Sequence, residues 1–312
     1  MCPGRSALEA PSAYPMNESP PLFDPALIRS RIARAREAGY AGFLVERVAE
    51  DLEDRLAAVT RSFTLGLDLG TPVPALTERL RASGRVGRMI RLSPTAEPGG
   101  SVVGDPELLP FGAGAGFDLA VSALSLQHVN DLPGALLQLR RALKPDGLLL
   151  AGLLGGATLT ELRQAFLQAE SETEGGVSPR VAPFAELRDL GGLLQRAGFA
   201  LPVVDADTVT VRYGDPFSLM RDLRAMGLAN ALHDRRRTPL RRATLMRAAA
   251  IYAERFSDPD GRLRATFEIL WLSGWAPHES QQKPLRPGSA KTRLADALGA
   301  AEHRLPVDGE TS

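Results

Sequence analysis

The chain has 312 residues, 44% of them hydrophobic and 24% charged, and its formal net charge is zero. Such a composition supports a large hydrophobic core and provides no general attraction to nucleic acid or to anionic membranes. The single cysteine excludes an internal disulfide and a cysteine-based zinc site, and the four scattered histidines form no metal-ligand pattern, so no metal is expected.

The N-terminal part is predicted to be disordered at first and helical afterwards. Residues 1–22 are rich in proline and show little periodicity, so we expect no fixed structure there. Asp24 followed by Pro25 is typical of a helix N-cap and first turn, and the helical pattern continues to about Arg61 with a break near Gly39. Arg29, Arg31, Arg34 and Arg36 could contact an acidic partner, but we favour a solvated helix face.

From residue 64 onwards, apolar runs alternate with helical patterns. The predicted strands cover residues 64–67, 86–90, 101–103, 116–122, 148–154, 203–213 and 264–275. This alternation predicts an α/β fold with a Rossmann-like, seven-stranded and mostly parallel sheet, formed by residues 23–213 and 262–275. Residues 214–261 are predicted to be a helical insertion over the carboxyl edge of the sheet, and residues 276–312 an irregular tail.

The loop after the first predicted strand reads Asp68-Leu69-Gly70-Thr71-Pro72-Val73-Pro74. A strand, a loop and a helix in this order are typical of the beginning of a nucleotide-binding α/β domain. Such loops are normally rich in glycine, because the backbone passes close to the ligand and donates N–H groups to it. Proline instead fixes φ at about −65° and has no N–H. We therefore expect this loop to be a poor cradle for a nucleotide.

Several sequence blocks carry a family resemblance. Besides Asp68-Leu69-Gly70, they include Phe117-Asp118-Leu119, the run from Leu124 to Pro133, and Lys144-Pro145-Asp146-Gly147. Together these blocks resemble the class I S-adenosylmethionine (SAM) methyltransferases. The blocks at 172–179 and 274–281 resemble one branch of that family, the methyltransferase-like assembly factor of respiratory complex I and its bacterial relatives. The mitochondrial member of this branch is known as an arginine hydroxylase.

The resemblance implies a SAM site, and several positions of that site depart from the family pattern. It assigns Asp68, Gly70, Asp105 and Ser122 to the cofactor, although the two aspartates could instead serve only to cap turns. Pro72 and Pro74 stand at the positions of the family's second and third loop glycines. Arg91 stands where the family has an acid that accepts hydrogen bonds from the ribose, and a guanidinium can only donate. These replacements predict that SAM binding is weakened by several powers of ten.

Candidate residues for the substrate or partner lie in three places. Gln127, His128 and Asn130 follow the fourth predicted strand, where open α/β sheets bind ligands. His128 could be an acid or base or a structural residue, and the resembling family has an aromatic residue there. Trp275 and His278 are expected near the same crevice. In the insertion, Arg235 and Arg241 belong to a basic stretch that could meet an acidic protein surface, anionic lipid or RNA, or could simply be solvated.

Three functional hypotheses follow. The first is a complex I assembly factor, a pseudoenzyme that binds a protein partner and holds SAM poorly; the second is a working SAM-dependent methyltransferase; the third is a protein arginine hydroxylase. We favour the first, because the replacements are concentrated at the cofactor contacts. Nucleic acid is an improbable partner, since no aromatic residues are interspersed among the arginines, and membrane contact would be at most peripheral. The expected location is the bacterial cytoplasm, or the mitochondrial matrix if the source is eukaryotic.

Overall fold

A computed structural model of the chain describes residues 21–97 and 99–281. The predictions of disorder at 1–20 and of an irregular tail at 282–312 therefore lie outside the described residues. Leu22, which the prediction included in the disordered segment, accepts a hydrogen bond from the backbone N–H of His233. The chain divides into two units, residues 1–277 and 278–312.

The described residues contain eight α-helices, one 3-10 helix and seven strands. The α-helices are α1 Pro25–Glu37, α2 Phe43–Ala57, α3 Ala75–Ala82, α4 Leu132–Ala142, α5 Thr160–Thr173, α6 Leu187–Arg196, α7 Pro216–Ala225 and α8 Arg242–Phe256. The 3-10 helix is Leu126–His128. The strands are β1 Phe63–Leu69, β2 Val86–Ser93, β3 Val102–Val103, β4 Phe117–Ala123, β5 Leu143–Leu154, β6 Ala200–Tyr213 and β7 Leu263–Trp275.

All seven strands form one sheet with the order β3-β2-β1-β4-β5-β7-β6. β7 is antiparallel to both of its neighbours, and the other pairs are parallel. The predicted fold class, a mostly parallel Rossmann-like sheet, is thus confirmed. The reversal of β7 also corrects a prediction, because Trp275 at its end pairs with Leu148 at the beginning of the buried part of β5. Trp275 therefore lies near the amino edge of the sheet, away from the crevice at the carboxyl edge.

The N-terminal helices form as predicted, but part of the face expected in solvent contacts the rest of the fold. The Asp24 carboxylate accepts a hydrogen bond from the N–H of Leu27 and caps α1, with Pro25 in the first turn. The apolar stripe of α2 is buried against the sheet. The solvated face expected on α1 is wrong for Arg31 and Arg36, which are half-buried and hydrogen-bonded to other elements. Spacing along one helix could not reveal these distant acceptors.

The insertion between β6 and β7 begins and ends at the carboxyl edge, since Tyr213 pairs with Leu263 there. Only its outer parts, α7 and α8, are helical, and residues 226–241 between them are irregular. The helix predicted through the basic stretch is therefore wrong over residues 231–241. Much of its charge is also neutralised internally, because Arg235 pairs with Asp24, and Glu174 pairs with Arg236 and Arg241.

Candidate functional site

The loop between β1 and α3 keeps one feature of a ligand-binding turn. Gly70 has φ of +70°, and its N–H donates to the carbonyl of Leu92. A Cβ at this glycine would come within 2.7 Å of the Ser125 hydroxyl, so both the backbone conformation and the space require glycine. After Gly70 the chain turns through Pro72 to Pro74, which is the N-cap residue of α3.

The acid of this loop is turned inward and is bound by the protein itself. Asp68 is fully buried, and its carboxylate accepts hydrogen bonds from the hydroxyls of Thr71 and Thr77 and from the guanidinium of Arg91. The same guanidinium donates to the carbonyl oxygens of Thr71 at 3.0 Å and Val73 at 3.2 Å. Arg91 therefore ties together the loop that would otherwise receive a ligand.

A second carboxylate and a second guanidinium complete this arrangement. Glu97 accepts from Nε and Nη2 of Arg91 at 2.9 and 3.0 Å, a bidentate pair. Glu97 also lies 2.7 Å from Nη2 of Arg36, whose Nε donates to the carbonyl of Pro72. We call Arg36, Asp68, Arg91 and Glu97 the ionic cluster. Its two cations and two anions balance, and the side chains of Arg91 and Glu97 are only 7% and 8% exposed.

Burial and charge act in opposite directions within the ionic cluster. Burial raises the pKa of Asp68, while the Arg91 guanidinium and the two threonine hydroxyls oppose that rise. Burial also acts to raise the pKa of Glu97, but hydrogen bonds from Arg91 and Ser93 prevail and lower it. Removing one partner of such a buried pair typically costs about 3–5 kcal/mol, because the other charge is left uncompensated. The cluster is therefore stable only as a complete set.

Next to the ionic cluster the crevice remains open. A cavity of about 280 Å³, slightly below the usual range of small-molecule sites, lies between α1 and the carboxyl ends of the strands. Gly70, Asp105 and His128 line it, as do Ser125 and Arg29. None of the four residues of the ionic cluster lines it. The carboxyl edge thus has one closed part and one open part.

The predicted site residues divide between this cavity and the core. Ser122 does not line the cavity: it is buried and donates to the carbonyl of Leu69 at 2.8 Å. Gln127 is also buried, and its Nε2 donates to the carbonyl of Leu124 at 2.7 Å. Asn130 binds the N-terminal segment, since its Oδ1 accepts from the N–H of Phe23 at 2.8 Å. The structure therefore gives Ser122, Gln127 and Asn130 contacts within the fold.

His128 lies in an apolar and positively charged environment. Its ring packs edge-on against Phe23, with the ring centroids 5.5 Å apart, and also faces Phe184. Burial, assisted by the charge of Arg31, lowers the pKa of His128 to about 4. The imidazole is therefore neutral near pH 7 and poorly suited to act as an acid, which favours the structural alternative.

The residues present do not fit the SAM that the fold family implies. The ribose would need an acceptor where Arg91 stands, and this guanidinium is committed to Asp68 and Glu97. The SAM carboxylate would need N–H donors where Pro72 and Pro74 have none. Asp105 does line the cavity, but its carboxylate accepts from the N–H of Glu107 and lies 3.9 Å from Arg29. The prolines were predictable from the loop; Arg36 and Glu97 were not, since no motif marks them.

The remaining candidate residues lie elsewhere. Trp275, near the amino edge, has the Arg61 guanidinium 5.8 Å from its ring centroid. His278 belongs to the second unit, where its Nδ1 lies 2.7 Å from the Ser280 hydroxyl. Arg241 is more exposed than Arg235, yet both approach carboxylates of the fold. Within 21–97 and 99–281, no three His, Cys, Asp or Glu side chains are arranged to hold a metal ion.

Comparisons with known proteins show the family to which the fold belongs. A family model described as a methyltransferase domain matches residues 67–151. The human mitochondrial arginine-hydroxylase NDUFAF5 is 40% identical over 298 residues, which is 91% of this chain and 85% of the relative. A malonyl-[acyl-carrier protein] O-methyltransferase from Halorhodospira halophila is 33% identical over 268 residues, covering 82% of this chain and 88% of that protein.

Solved structures are more distantly similar. The YcgJ protein from Bacillus subtilis has a TM-score of 0.49 and 15% identity, over 73% of this chain and 99% of that one. None of the helices in the described part of the chain has the length and apolar character that a membrane span requires.

Proposed function

The chain belongs to the NDUFAF5 family of methyltransferase-fold proteins, and from this we propose that it acts as an assembly factor that binds a protein partner without using SAM. The partner in this proposal is a subunit of respiratory complex I, the assembly with which the resembling branch is associated. The protein would act in the compartment where that complex is assembled: the cytoplasm of a bacterium or the mitochondrial matrix of a eukaryote.

One observation carries the proposal: the guanidinium of Arg91 occupies the loop between β1 and α3, next to the open cavity. It satisfies Asp68, Glu97 and two loop carbonyls, so these groups have no unmet hydrogen bonds for a ligand to fulfil. To enter in the family's manner, SAM would have to break a buried ion-pair network and then meet a loop without N–H donors. Each part of that cost is of the order of a few kcal/mol.

The rest of the fold is intact, which favours a retained role over simple decay. Two apolar clusters of buried residues pack against the sheet. The insertion, α1 and the N-terminal segment are joined by specific contacts, such as the hydrogen bond from the Asp24 N–H to the carbonyl of Ala231. A protein that binds a partner needs this rigid surface and does not need the cofactor.

A second candidate function is arginine hydroxylation, the activity in the name of the human relative. It is favoured by the identity of 40%, which extends over most of both chains. The two candidates differ in what happens to the partner: assembly by binding alone leaves its arginines unmodified, whereas hydroxylation adds one oxygen atom to an arginine.

The proposal is tested in a strain that lacks this chain. Complex I should be depleted on native gels, and the wild-type chain should restore it. Asp105→Ala should restore it equally at matched protein level, because within the fold the Asp105 carboxylate only accepts from the Glu107 N–H and lies near Arg29, and its functional ligand would be a SAM adenine. Restoration by the wild type but not by Asp105→Ala would indicate that the protein uses SAM. Normal complex I without the chain would overturn the proposal.

Mass spectrometry of complex I subunits from the same strains distinguishes arginine hydroxylation from assembly by binding alone. Assembly by binding alone predicts identical arginine masses with and without the chain. An arginine that lacks one oxygen only in the deletion strain would replace the proposal with hydroxylation.

A further inference from the structure

A groove between α1 and α7 is a strongly basic concave surface that lies apart from the cavity at the carboxyl edge. It encloses about 520 Å³, and four arginines line it: Arg31 and Arg34 from α1, and Arg221 and Arg224 from α7. We call this surface the arginine groove. No acidic residue is among those that line it.

The helical repeat explains why these four side chains converge. Arg31 and Arg34 are three residues apart and therefore project from the same face of α1, and Arg221 and Arg224 have the same relation on α7. The two helices pack side by side. Small and apolar residues form the floor between them, namely Leu27, Ala35, Ala38, Ala225 and Ala229. The result is an apolar channel with a basic rim.

No carboxylate of the described residues forms an ion pair with the arginine groove, although Asp24 lies near Arg31 and Asp215 lies near Arg221. Arg31 donates to the carbonyl of Ala229, Arg34 to Ser30, and Arg221 to the Ser218 hydroxyl, all of which are neutral acceptors. Across residues 21–97 and 99–281, none of the four arginines forms an ion pair with a carboxylate, and the Arg224 side chain has no hydrogen bond. This contrasts with the ionic cluster, where each guanidinium has a carboxylate.

Arg31 is the arginine of this groove whose positive charge is least favourably placed. It is half-buried, and burial together with the charges of Arg235 and Arg34 lowers its pKa, against which only Asp24 acts. A cation held partly out of water beside other cations gains from any anion that enters the groove. The groove thus has an unmet preference for negative charge.

We propose that the arginine groove binds an acidic segment of the partner protein, one in which carboxylates are interspersed with small apolar side chains. This inference rests on the proposed function, which requires a protein partner. Guanidinium groups bind carboxylates bidentately, and the alanine-rich floor accommodates small side chains between them. Nucleic acid is disfavoured because no aromatic residue lines the groove for base stacking. A membrane is disfavoured because the arginines converge on a concave channel instead of a broad exposed face.

The test uses the full chain and a labelled peptide of alternating Glu and Ala as the probe, with binding followed by fluorescence anisotropy at low ionic strength. The groove variant is the triple substitution Arg34→Glu, Arg221→Glu and Arg224→Glu, all at exposed positions. Arg31 is left unchanged because its contact with Ala229 supports the fold. The matched control reverses the same number of exposed arginines outside the groove: Arg88→Glu, Arg141→Glu and Arg196→Glu.

The groove variant should bind the peptide at least about tenfold more weakly, since three attractive contacts become repulsive, and the control should change by less than about threefold. Equal weakening in both variants would show an effect of net charge alone and would overturn the inference. So would an undetectable affinity of the wild type for the peptide. Vesicles containing anionic lipid provide the third arm: groove-dependent binding to vesicles but not to the peptide would assign the groove to a membrane.

The deletion strain distinguishes failure of this inference from failure of the proposed function. If the groove is the docking site, the groove variant should not restore complex I, whereas the control variant should. Restoration by both variants would refute the groove and leave the assembly role standing. If the wild type also has no effect on complex I, the assembly role is wrong, and the peptide measurement alone then decides whether the groove binds acidic segments.

Discussion

Two neighbouring parts of the carboxyl edge differ: one is closed by ion pairs, and the other is an open cavity. At the ends of β1 and β2, the ionic cluster occupies the crevice with the protein's own charges, and Asp68 and Arg91 are buried. Between α1 and the ends of β3 and β4, a cavity remains open, and Gly70 after β1 also lines it. Both parts belong to the crevice in which open α/β sheets bind ligands. The ionic cluster is part of the buried interior, whereas the cavity is a pocket.

Under the proposed function, this comparison illustrates how a binding site is lost by substitution while the surrounding fold is kept. Arg91, which the family resemblance places at the position of an acid, binds Asp68, Glu97 and the loop carbonyls. The buried polar groups that a cofactor would satisfy are satisfied by a side chain. The fold can therefore remain ordered without a ligand at this end.

The largest expected effect comes from breaking the closed part. Arg91→Met should lower the free energy of unfolding by about 3–5 kcal/mol, because Asp68 and Glu97 would lose their shared cation while buried. Arg88→Met on the same strand is the control, since Arg88 is exposed, and it should cost less than about 0.5 kcal/mol. Urea unfolding measures both. A loss below about 1 kcal/mol for Arg91→Met would mean that the ionic cluster does not hold the loop.

In the open part, adding a side chain at Gly70 should lower the free energy of unfolding. Gly70→Ala should cost about 2–3 kcal/mol, because the new Cβ would meet the Ser125 hydroxyl in a backbone conformation that already disfavours alanine. Gly84→Ala has nearly the same φ, +71°, but open space around it, so we expect only about 1 kcal/mol. Thermal or urea unfolding of the pair isolates the steric contribution at the cavity wall. Equal losses would show that the wall of the cavity is not tightly packed.

The open part should also have a pH signature. The pKa of His128 is lowered to about 4 in the folded state, whereas an unfolded histidine titrates at about 6.5. Between these values the unfolded state binds the extra proton, so this contribution to stability is complete above pH 6.5 and is lost as the pH falls toward 4. With allowance for the partial exposure of the ring, we expect about 1–2 kcal/mol.

His128→Phe should remove this part of the acid sensitivity while retaining the ring packing. Comparing urea unfolding of the two proteins at pH 7.5 and 4.5 cancels the contribution of carboxylates such as Glu97, whose own pKa is lowered. If both proteins lose the same free energy on acidification, His128 is not the neutral, enclosed group described above.

Most of the fold could be predicted from local patterns. Asp24 and Pro25 mark the beginning of α1, and continuous apolar runs mark the central strands β4 and β5, because capping and burial depend on residues close in sequence. The direction of β7 could not be read in this way, since parallel and antiparallel strands at a buried position have similar patterns. This is why Trp275 was expected at the wrong edge.

The site was less predictable than the fold. The prolines of the loop and the replacement at Arg91 were visible as departures from a pattern. The partners of Arg91 were not all visible, because Glu97 and Arg36 come from a loop and a helix that meet only in the folded chain. In the same way, Arg235 could be placed in a basic stretch, but its ion pair with Asp24 joins segments far apart in sequence.

Isothermal titration calorimetry with SAM tests the central claim most directly. We predict no measurable heat of binding for the wild type, and binding for the triple variant Pro72→Gly, Pro74→Gly and Arg91→Asp, provided that circular dichroism shows it to be folded. The variant restores N–H groups to the loop and an acceptor at the ribose position. Micromolar binding of SAM by the wild-type chain would contradict the claim that its own arginine has closed the site.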